Sequence, residues 1–169
     1  MKCRPEIAPH AIKLSQYMEN PATEHYQAIR DLVANLTATI NDGIYYWRKK
    51  SVMELPIGPM PTLHNDNYIM PDNTPQEDAL YGYVDSDWGA DSNHRKSISG
   101  IILMYAGGVV GYRCKYQDVI AHSSTEAEFT AACDAGKMIL YFRSLLDDLG
   151  LEQSNATILY EDNNGALMM

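Results

Sequence analysis

The chain has 169 residues, a formal net charge of −9 and 46% hydrophobic residues, which is an ordinary apolar content for a folded protein. This length predicts one domain, or one small domain with an attached segment. No apolar run approaches the roughly 18 residues that a membrane-spanning helix needs, and the first ten residues lack the apolar stretch of a signal peptide. We therefore expect an intracellular protein, cytoplasmic or nuclear. Three widely spaced cysteines without a CxxC pair argue against a disulfide framework and against a zinc cluster: Cys3, Cys114 and Cys133.

Residues 1–50 carry a net charge of +2 and are predicted to form a helical hairpin. Apolar residues recur at helical intervals in the first helix: Ile7, Ala11, Leu14 and Met18. Asn20 and Pro21 then interrupt the pattern, and Thr23 is the predicted N-cap of the second helix. Residues 51–80 hold five of the eight prolines and carry a net charge of −5, which predicts an irregular linker and a domain boundary.

Residues 81–169 change character and predict a mixed α/β domain. "YGYVDSDW" alternates and is rich in β-forming residues, and "SISGIILMYAGGVVGYRCKY" reads as two strands that turn at Gly107-Gly108. A helix follows from about Ser124 to Leu149 and stops at Gly150, and "ATILYED" then predicts a strand that leads into a last helix. The order β-β-β-α-β-α predicts a mixed sheet with helices packed on it.

Two glutamates near the start of the long helix have different predicted roles. On a helical wheel Glu128 continues the apolar stripe that must pack on the sheet, whereas Glu126 falls near the opposite, solvent-facing side. Ser123 lies three residues before Glu126, which is the spacing of a capping box. We expect Glu126 to cap the helix and Glu128 to point inward. The alternative is that Glu128, in the first turn, bends out to water or to its own helix terminus.

The strands supply possible partners for an inward carboxylate. Asp85 and Asp87 share one face of their strand, so alternation does not choose between them, while Glu161 and Asp162 face opposite ways. A carboxylate from each strand, together with Glu128, is a set that suits hard divalent cations such as Mg²⁺. Taken separately, each aspartate is more simply a solvated turn or cap residue. A generic calcium-binding surface ranks last, because the chain has no D-x-D-x-D-G loop.

Several motifs resemble the ribonuclease H region of copia-type LTR-retrotransposon Pol polyproteins, in order and in spacing: "YVDSDWGAD", "HRKSISGIIL", "AHSSTEAEF" and "LYEDNNGAL". The N-terminal "RPEIAPHAIKLSQYMENPATEHYQAIRDL" is similar to the segment that follows the polymerase core, at the end of the reverse transcriptase region, in the same polyproteins. The resemblance implies a ribonuclease H-like mixed sheet. It also implies hydrolysis of the RNA strand of RNA–DNA hybrids with two Mg²⁺ (or Mn²⁺) ions, and the rest of the polyprotein as a partner. Carried over by position, the metal-binding and catalytic carboxylates are Asp85, Glu128 and Asp162.

Two departures from the family pattern lead to an alternative expectation. The fourth acidic ligand of the family is expected beyond Met169, and the second helix, "IRDLVANLTATI", has fewer basic residues than the family usually shows. The sequence therefore predicts that residues 81–169 are a C-terminally truncated, ribonuclease H-like domain whose metal-dependent endoribonuclease activity is impaired, and it leaves open whether the chain is active. The alternative is a catalytically inactive retroelement relic that acts at most as a weak nucleic-acid or protein-binding module. The resemblance assigns no chemical role to "HRKS", residues 94–97, and a solvated entry to the second strand is the simpler interpretation.

Overall fold

The protein is described by a computed structural model that covers residues 4–44, 46, 78–91 and 94–169. The predicted linker lies outside the described residues except for its last three positions, so the proposed division at residues 51–80 stays a prediction. The elements, in chain order, are a 3-10 turn at Pro5–Ile7, α1 (Ala8–Ser15), α2 (Thr23–Ala38), β1 (Tyr81–Asp87), β2 (Ile98–Tyr105), β3 (Gly108–Tyr116), α3 (Ser124–Asp148), β4 (Ile158–Tyr160) and α4 (Asn164–Leu167).

The four described strands form one mixed sheet in the order β3-β2-β1-β4. β1 pairs antiparallel with β2 and parallel with β4, and β2 pairs antiparallel with β3. Because β4 runs parallel to β1, it cannot be reached by a short hairpin. The chain crosses over the sheet between β3 and β4, and α3 forms this crossover. The predicted mixed α/β fold with the order β-β-β-α-β-α is confirmed, and it is consistent with a ribonuclease H-like sheet.

The turn between β2 and β3 lies one residue earlier than predicted. Its two central residues are Ala106 and Gly107, both with positive φ (51° and 75°), and Gly108 already pairs with Tyr105 as the first residue of β3. Two residues of positive φ are the signature of the hairpin turn whose twist matches that of the flanking strands. The dipeptide Gly107-Gly108 misled the prediction because an alanine occupies a position that normally favours Asn or Gly.

The core lies between the sheet and α3. Alanines at four-residue intervals on one side of the helix are fully buried, which lets the helix axis approach the strands closely. A Cβ added at Gly111 of β3 would lie 2.6 Å from the Phe142 ring, so this position has no room for a side chain under the helix. The buried apolar cluster consists of Leu80, Val84, Ile101, Leu103, Ala131, Ala135, Ile139 and Leu146.

The N-terminal helices attach at the edge of the sheet. α1 contacts β3, where the Gln16 amide donates a hydrogen bond to the Tyr116 hydroxyl. The predicted N-cap of α2 is wrong by one residue, because Thr23 is the first helical residue and Ala22 is the cap. The imidazole of His25, at the third helical position, accepts a hydrogen bond from the Ala22 N–H at 2.9 Å, which is the role that a Glu or Gln side chain takes in a capping box. Within the described part of the chain, no helix is both long enough and apolar enough to cross a bilayer.

The strained turn predicts a stabilising substitution. Ala106→Asn should raise the free energy of unfolding by about 0.5–1 kcal/mol, because asparagine tolerates the left-handed conformation better than alanine and forms the Asn-Gly turn that hairpins favour. Thermal unfolding measures the change, with Ala156→Asn in an exposed loop as the matched control. An equal shift in both variants would contradict the assignment to turn strain.

Candidate metal centre

Asp85 and Asp162 come together because β1 and β4 run parallel in a fixed register. Tyr83 pairs with Tyr160, and each aspartate lies two residues further along its own chain. Continuing the same offset past the last pair brings Asp85 level with Asp162, whereas Asp87 has moved on by two more residues. The register thus favours Asp85 over Asp87, whereas the alternation of side chains along the strand did not distinguish the two.

The end of β4 differs from the prediction. The strand stops at Tyr160 rather than at Asp162, and Glu161 begins a turn in which its Oε1 accepts a hydrogen bond from the Asn163 N–H at 3.0 Å. Asn163 then caps α4 through Oδ1, which accepts from the Ala166 N–H. This short helix packs closely on the start of α3, where a Cβ added at Gly165 would lie 2.8 Å from Thr125 Oγ1. The turn therefore holds Asp162 between β4 and the α3 N-terminus.

The two helix glutamates take the roles that the sequence predicted. The Glu126 N–H donates to Ser123 Oγ at 3.1 Å, and Glu126 Oε2 accepts from the His122 N–H at 2.7 Å, so Glu126 caps the helix. Glu128 is 5% exposed and lies on the side of α3 that faces the sheet. It does not bend out to water. Neighbouring Ala127 and Ala131 are fully buried and hold this turn of the helix against the strands.

The structure brings all three predicted site residues together. One carboxylate oxygen of Asp85, one of Glu128 and one of Asp162 lie within 4.8 Å of one another. The two aspartates are exposed and Glu128 is buried, so the group opens to solvent on one side. Asp87 lies elsewhere and forms an ion pair with Lys13 at 3.2 Å between two half-exposed side chains. An acidic group of this kind can hold a metal ion.

Burial and repulsion act together on Glu128. Removal from water is the largest cause that raises the pKa of Glu128, and the nearby carboxylate of Glu161 is the next. Asp85 and Asp162 raise this pKa by smaller amounts, whereas the hydroxyl of Ser86 lowers it. The result is a pKa of about 7 for a group whose ordinary value is 4.5. At neutral pH this carboxyl is therefore only partly ionised unless a cation compensates its charge.

The residues present fit a divalent cation. Glu128 Oε2 is buried and has no hydrogen-bond partner among the described residues, and a buried polar atom without a partner is costly. Carboxylate oxygens are the ligands that Mg²⁺ and Mn²⁺ prefer, and the three that converge here would satisfy this atom. Sequence reasoning missed two neighbours, Glu161 and Ser86. The strand alternation pointed Glu161 away, but β4 ends before it, so that rule does not apply.

The raised pKa predicts a pH-dependent stability without metal. Because folded Glu128 holds its proton more tightly than the unfolded chain does, its contribution is fully favourable below pH 4.5 and is lost as the pH rises through about 7. Glu128→Gln should therefore be more stable than the parent chain at pH 8 by on the order of 2–3 kcal/mol. At pH 5 the difference should fall below about 1 kcal/mol. Urea unfolding in EDTA at both values measures it, and an equal difference at both would contradict the burial argument.

Comparison with known proteins identifies relatives of this chain. It is 27% identical over 164 residues to the retrovirus-related Pol polyprotein from transposon TNT 1-94 of Nicotiana tabacum, which covers 97% of this chain and 10% of that protein. The corresponding polyprotein from transposon RE1 of Arabidopsis thaliana is 28% identical over 163 residues, covering 96% of this chain and 9% of the relative. This chain thus spans about a tenth of the length of these polyproteins.

A shorter relative matches over most of its own length. The chain is 30% identical over 132 residues to the secreted RxLR effector protein 161 of Plasmopara viticola, covering 78% of this chain and 75% of that protein. No protein-family model matches the chain, and no solved structure matches it either. The matches to the polyproteins run through the helical N-terminal segment and the sheet alike, since they cover nearly the whole chain. The chain is thus a homologue of retrotransposon Pol polyproteins, and these matches support a fragment of a copia-type polyprotein.

Proposed function

We propose that residues 81–169 are the ribonuclease H part of such a polyprotein and hydrolyse the RNA strand of RNA–DNA hybrids. The observation that carries the proposal is the convergence of Asp85, Glu128 and Asp162 within 4.8 Å. These are the positions that the resemblance to the ribonuclease H region selects. The buried, unpartnered oxygen of Glu128 supports a site built for a cation rather than for water.

The three carboxylates would hold two Mg²⁺ or Mn²⁺ ions in the complete site. Bound divalent ions stabilise negative charge that develops on phosphoryl oxygens and favour an attacking water at neutral pH. The residues of the chain fix the geometry. Glu128 is held by the buried face of α3, while exposed Asp85 and Asp162 form the side that a phosphodiester can approach.

Electrostatics also connects the cation to the substrate. Residues 81–169 carry a net charge of −6, and three converging carboxylates repel a phosphate backbone. Cations bound by these carboxylates reverse the local sign of charge, so the same cluster that repels the substrate without metal attracts it with metal. We expect hybrid binding to depend on the divalent cation for this reason. The choice of RNA–DNA hybrid over other nucleic acids rests on the family resemblance.

A second candidate function is a non-catalytic module that binds nucleic acid or protein weakly. It is favoured by the acidic charge of residues 81–169 and by the number of converging carboxylates, which is three among the described residues. The family pattern has four. This candidate predicts a folded protein that binds a hybrid without cutting it, so the cleavage assay below separates the two functions.

The proposed reaction predicts which carboxylates matter. Cleavage of a labelled RNA–DNA hybrid in Mg²⁺ or Mn²⁺ should fall by at least about 100-fold in Asp85→Asn, Glu128→Gln and Asp162→Asn, because each ligand fixes the geometry of the ions. Asp87→Asn and Glu126→Gln are matched controls, since each also removes one carboxylate within two residues of the site. Equal losses in controls and site variants would contradict the assignment. Folded parent protein that does not cut in either metal would favour the second candidate.

Metal binding can be tested without activity. Millimolar Mn²⁺ should raise the thermal unfolding midpoint of the parent chain by several degrees, because a ligand that binds the folded state alone stabilises it. Asp85→Asn and Asp162→Asn should lose most of this shift, whereas Asp87→Asn should keep it, since Asp87 lies apart from the cluster and pairs with Lys13. A Mn²⁺ shift of unchanged size in the two site variants would show that the ion binds elsewhere.

A further inference from the structure

An open cavity of about 310 Å³ lies close to the carboxylate cluster, and none of the three carboxylate residues lines it. It is lined by Trp88 and Gly89 after β1, by Arg95 before β2, and by residues 120–122 before α3. Trp88 follows Asp85 by three residues, so their Cα atoms are at most about 11 Å apart. The cavity and the carboxylates therefore occupy the same end of the sheet.

Trp88 presents an aromatic surface at this cavity. Its indole Nε1–H donates a hydrogen bond to the Ala121 carbonyl oxygen at 3.0 Å, which fixes the orientation of the ring. The side chain is nevertheless 47% exposed, so much of the ring remains open to solvent. Large aromatic side chains are usually buried, and an oriented one beside a polar cleft is suited to stack on a flat ligand. The nucleobases of a nucleic-acid strand are such ligands.

Arg95 is held on the cavity wall in a conformation that costs free energy. Its φ is +56°, in the left-handed region that residues with a side chain rarely adopt. Two backbone hydrogen bonds hold the loop, from the Arg95 N–H to the Asp91 carbonyl at 2.7 Å and from the Asp91 N–H to the Lys96 carbonyl at 3.0 Å. Asp91 is buried, and its carboxylate contacts His94 Nδ1 at 2.8 Å.

The "HRKS" segment thus has a structural role that the sequence did not reveal. His94 pairs with the buried Asp91, Arg95 lines the cavity, and buried Ser97 accepts a hydrogen bond from the Gly89 N–H at 3.2 Å. In the part of the chain that the structure describes, the Arg95 guanidinium forms no ion pair. The loop therefore presents a cation next to an aromatic ring, in a half of the chain whose net charge is −6. This combination is typical of surfaces that bind a phosphate backbone.

We propose that this cavity is a subsite for one strand of a nucleic acid, in which Arg95 binds a backbone phosphate and Trp88 stacks on the adjacent base or sugar. His122, which also lines the cavity just before α3, can donate a second hydrogen bond to the phosphate. Successive nucleotides of one strand rise by about 3.4 Å in a duplex, so the subsite engages the strand within about three nucleotides of the carboxylates. This inference rests on the proposed function, because the subsite binds the substrate of that nuclease site.

The experiment measures binding separately from cleavage. Fluorescence anisotropy follows a labelled RNA–DNA hybrid in Ca²⁺ instead of Mg²⁺, so that the substrate stays intact. Arg95→Ala should weaken binding by about five- to tenfold and lower the salt dependence by about one phosphate contact. Trp88→Ala should weaken it by about fivefold or more and leave the salt dependence unchanged, because stacking releases no counterions. Arg30→Ala on α2 removes the same charge from an exposed position away from the cavity and should change affinity by less than about twofold.

A second variant excludes a merely structural role. Arg95→Gly relieves the strained φ, so its thermal unfolding midpoint should be equal to or above that of the parent chain while its hybrid affinity falls as in Arg95→Ala. Arg95→Lys should recover part of the affinity, since it keeps the charge. Equal effects of Arg95→Ala and Arg30→Ala, or unchanged binding in Arg95→Gly, would overturn the subsite.

The outcomes for the subsite and for the proposed nuclease are separable. Asp85→Asn tests the carboxylates: it should lower cleavage by at least about 100-fold, and adding Arg95→Ala to this variant should still weaken hybrid binding by about five- to tenfold. If the parent chain binds the hybrid through Arg95 and Trp88 but never cuts it, the subsite stands and the nuclease proposal fails. If the parent chain cuts the hybrid, and Arg95→Ala and Arg95→Gly cut and bind as well as it does, the nuclease stands and the subsite fails. Single-stranded DNA and RNA of the same sequence, titrated in parallel, identify the strand that the cavity holds, since both carry the same phosphodiester.

Discussion

The close packing of α3 on the sheet is the contact on which the rest of this structure depends. Ala127, Ala131 and Ala135 lie at four-residue intervals and are fully buried, so at these positions the helix contributes only small side chains to its interface with the strands. This contact buries Val84, Ile101 and Leu103 and forms the main apolar core. It also determines the site, because Glu128 follows the first of these alanines by one residue and is carried into the interface at the end of β1.

That placement creates an electrostatic conflict which the fold does not resolve by itself. The carboxyl of Glu128 is buried, lies near Glu161, Asp85 and Asp162, and keeps one oxygen without a hydrogen bond among the described residues. Removing the conflict requires either a proton, which is why the pKa rises to about 7, or a cation. A cation bound here at neutral pH would stabilise the folded state, so metal binding and folding would be linked. The conflict is thus a structural reason to regard the cluster as functional rather than as a solvated acidic surface.

Buried polar contacts tie the loops around this site to the packed core. The Gln117 amide donates to Ser99 Oγ at 2.9 Å and to the Ala127 carbonyl at 2.8 Å, which joins the end of β3 to β2 and to α3. Gln117 N–H also donates to the Ser97 carbonyl at 2.8 Å. The segments that line the cavity beside the carboxylates therefore rest on rigid elements. A site whose ligands come from three elements needs such support, because small displacements change metal and substrate geometry.

Sequence patterns by themselves determined the elements and their order. Alternation and β-branched residues located the strands, and helical periodicity placed Glu128 inward and Glu126 at the cap, because both patterns depend on local geometry. Three other features were decided by the tertiary structure, because local geometry does not determine them. The parallel register of β1 and β4 brings Asp85 rather than Asp87 to Asp162, the end of β4 at Tyr160 turns Glu161 toward Glu128, and the turn strain falls on Ala106. The first two depend on pairing between β1 and β4, which lie far apart in the chain, and a register or a strand end is set by the whole sheet rather than by neighbouring residues.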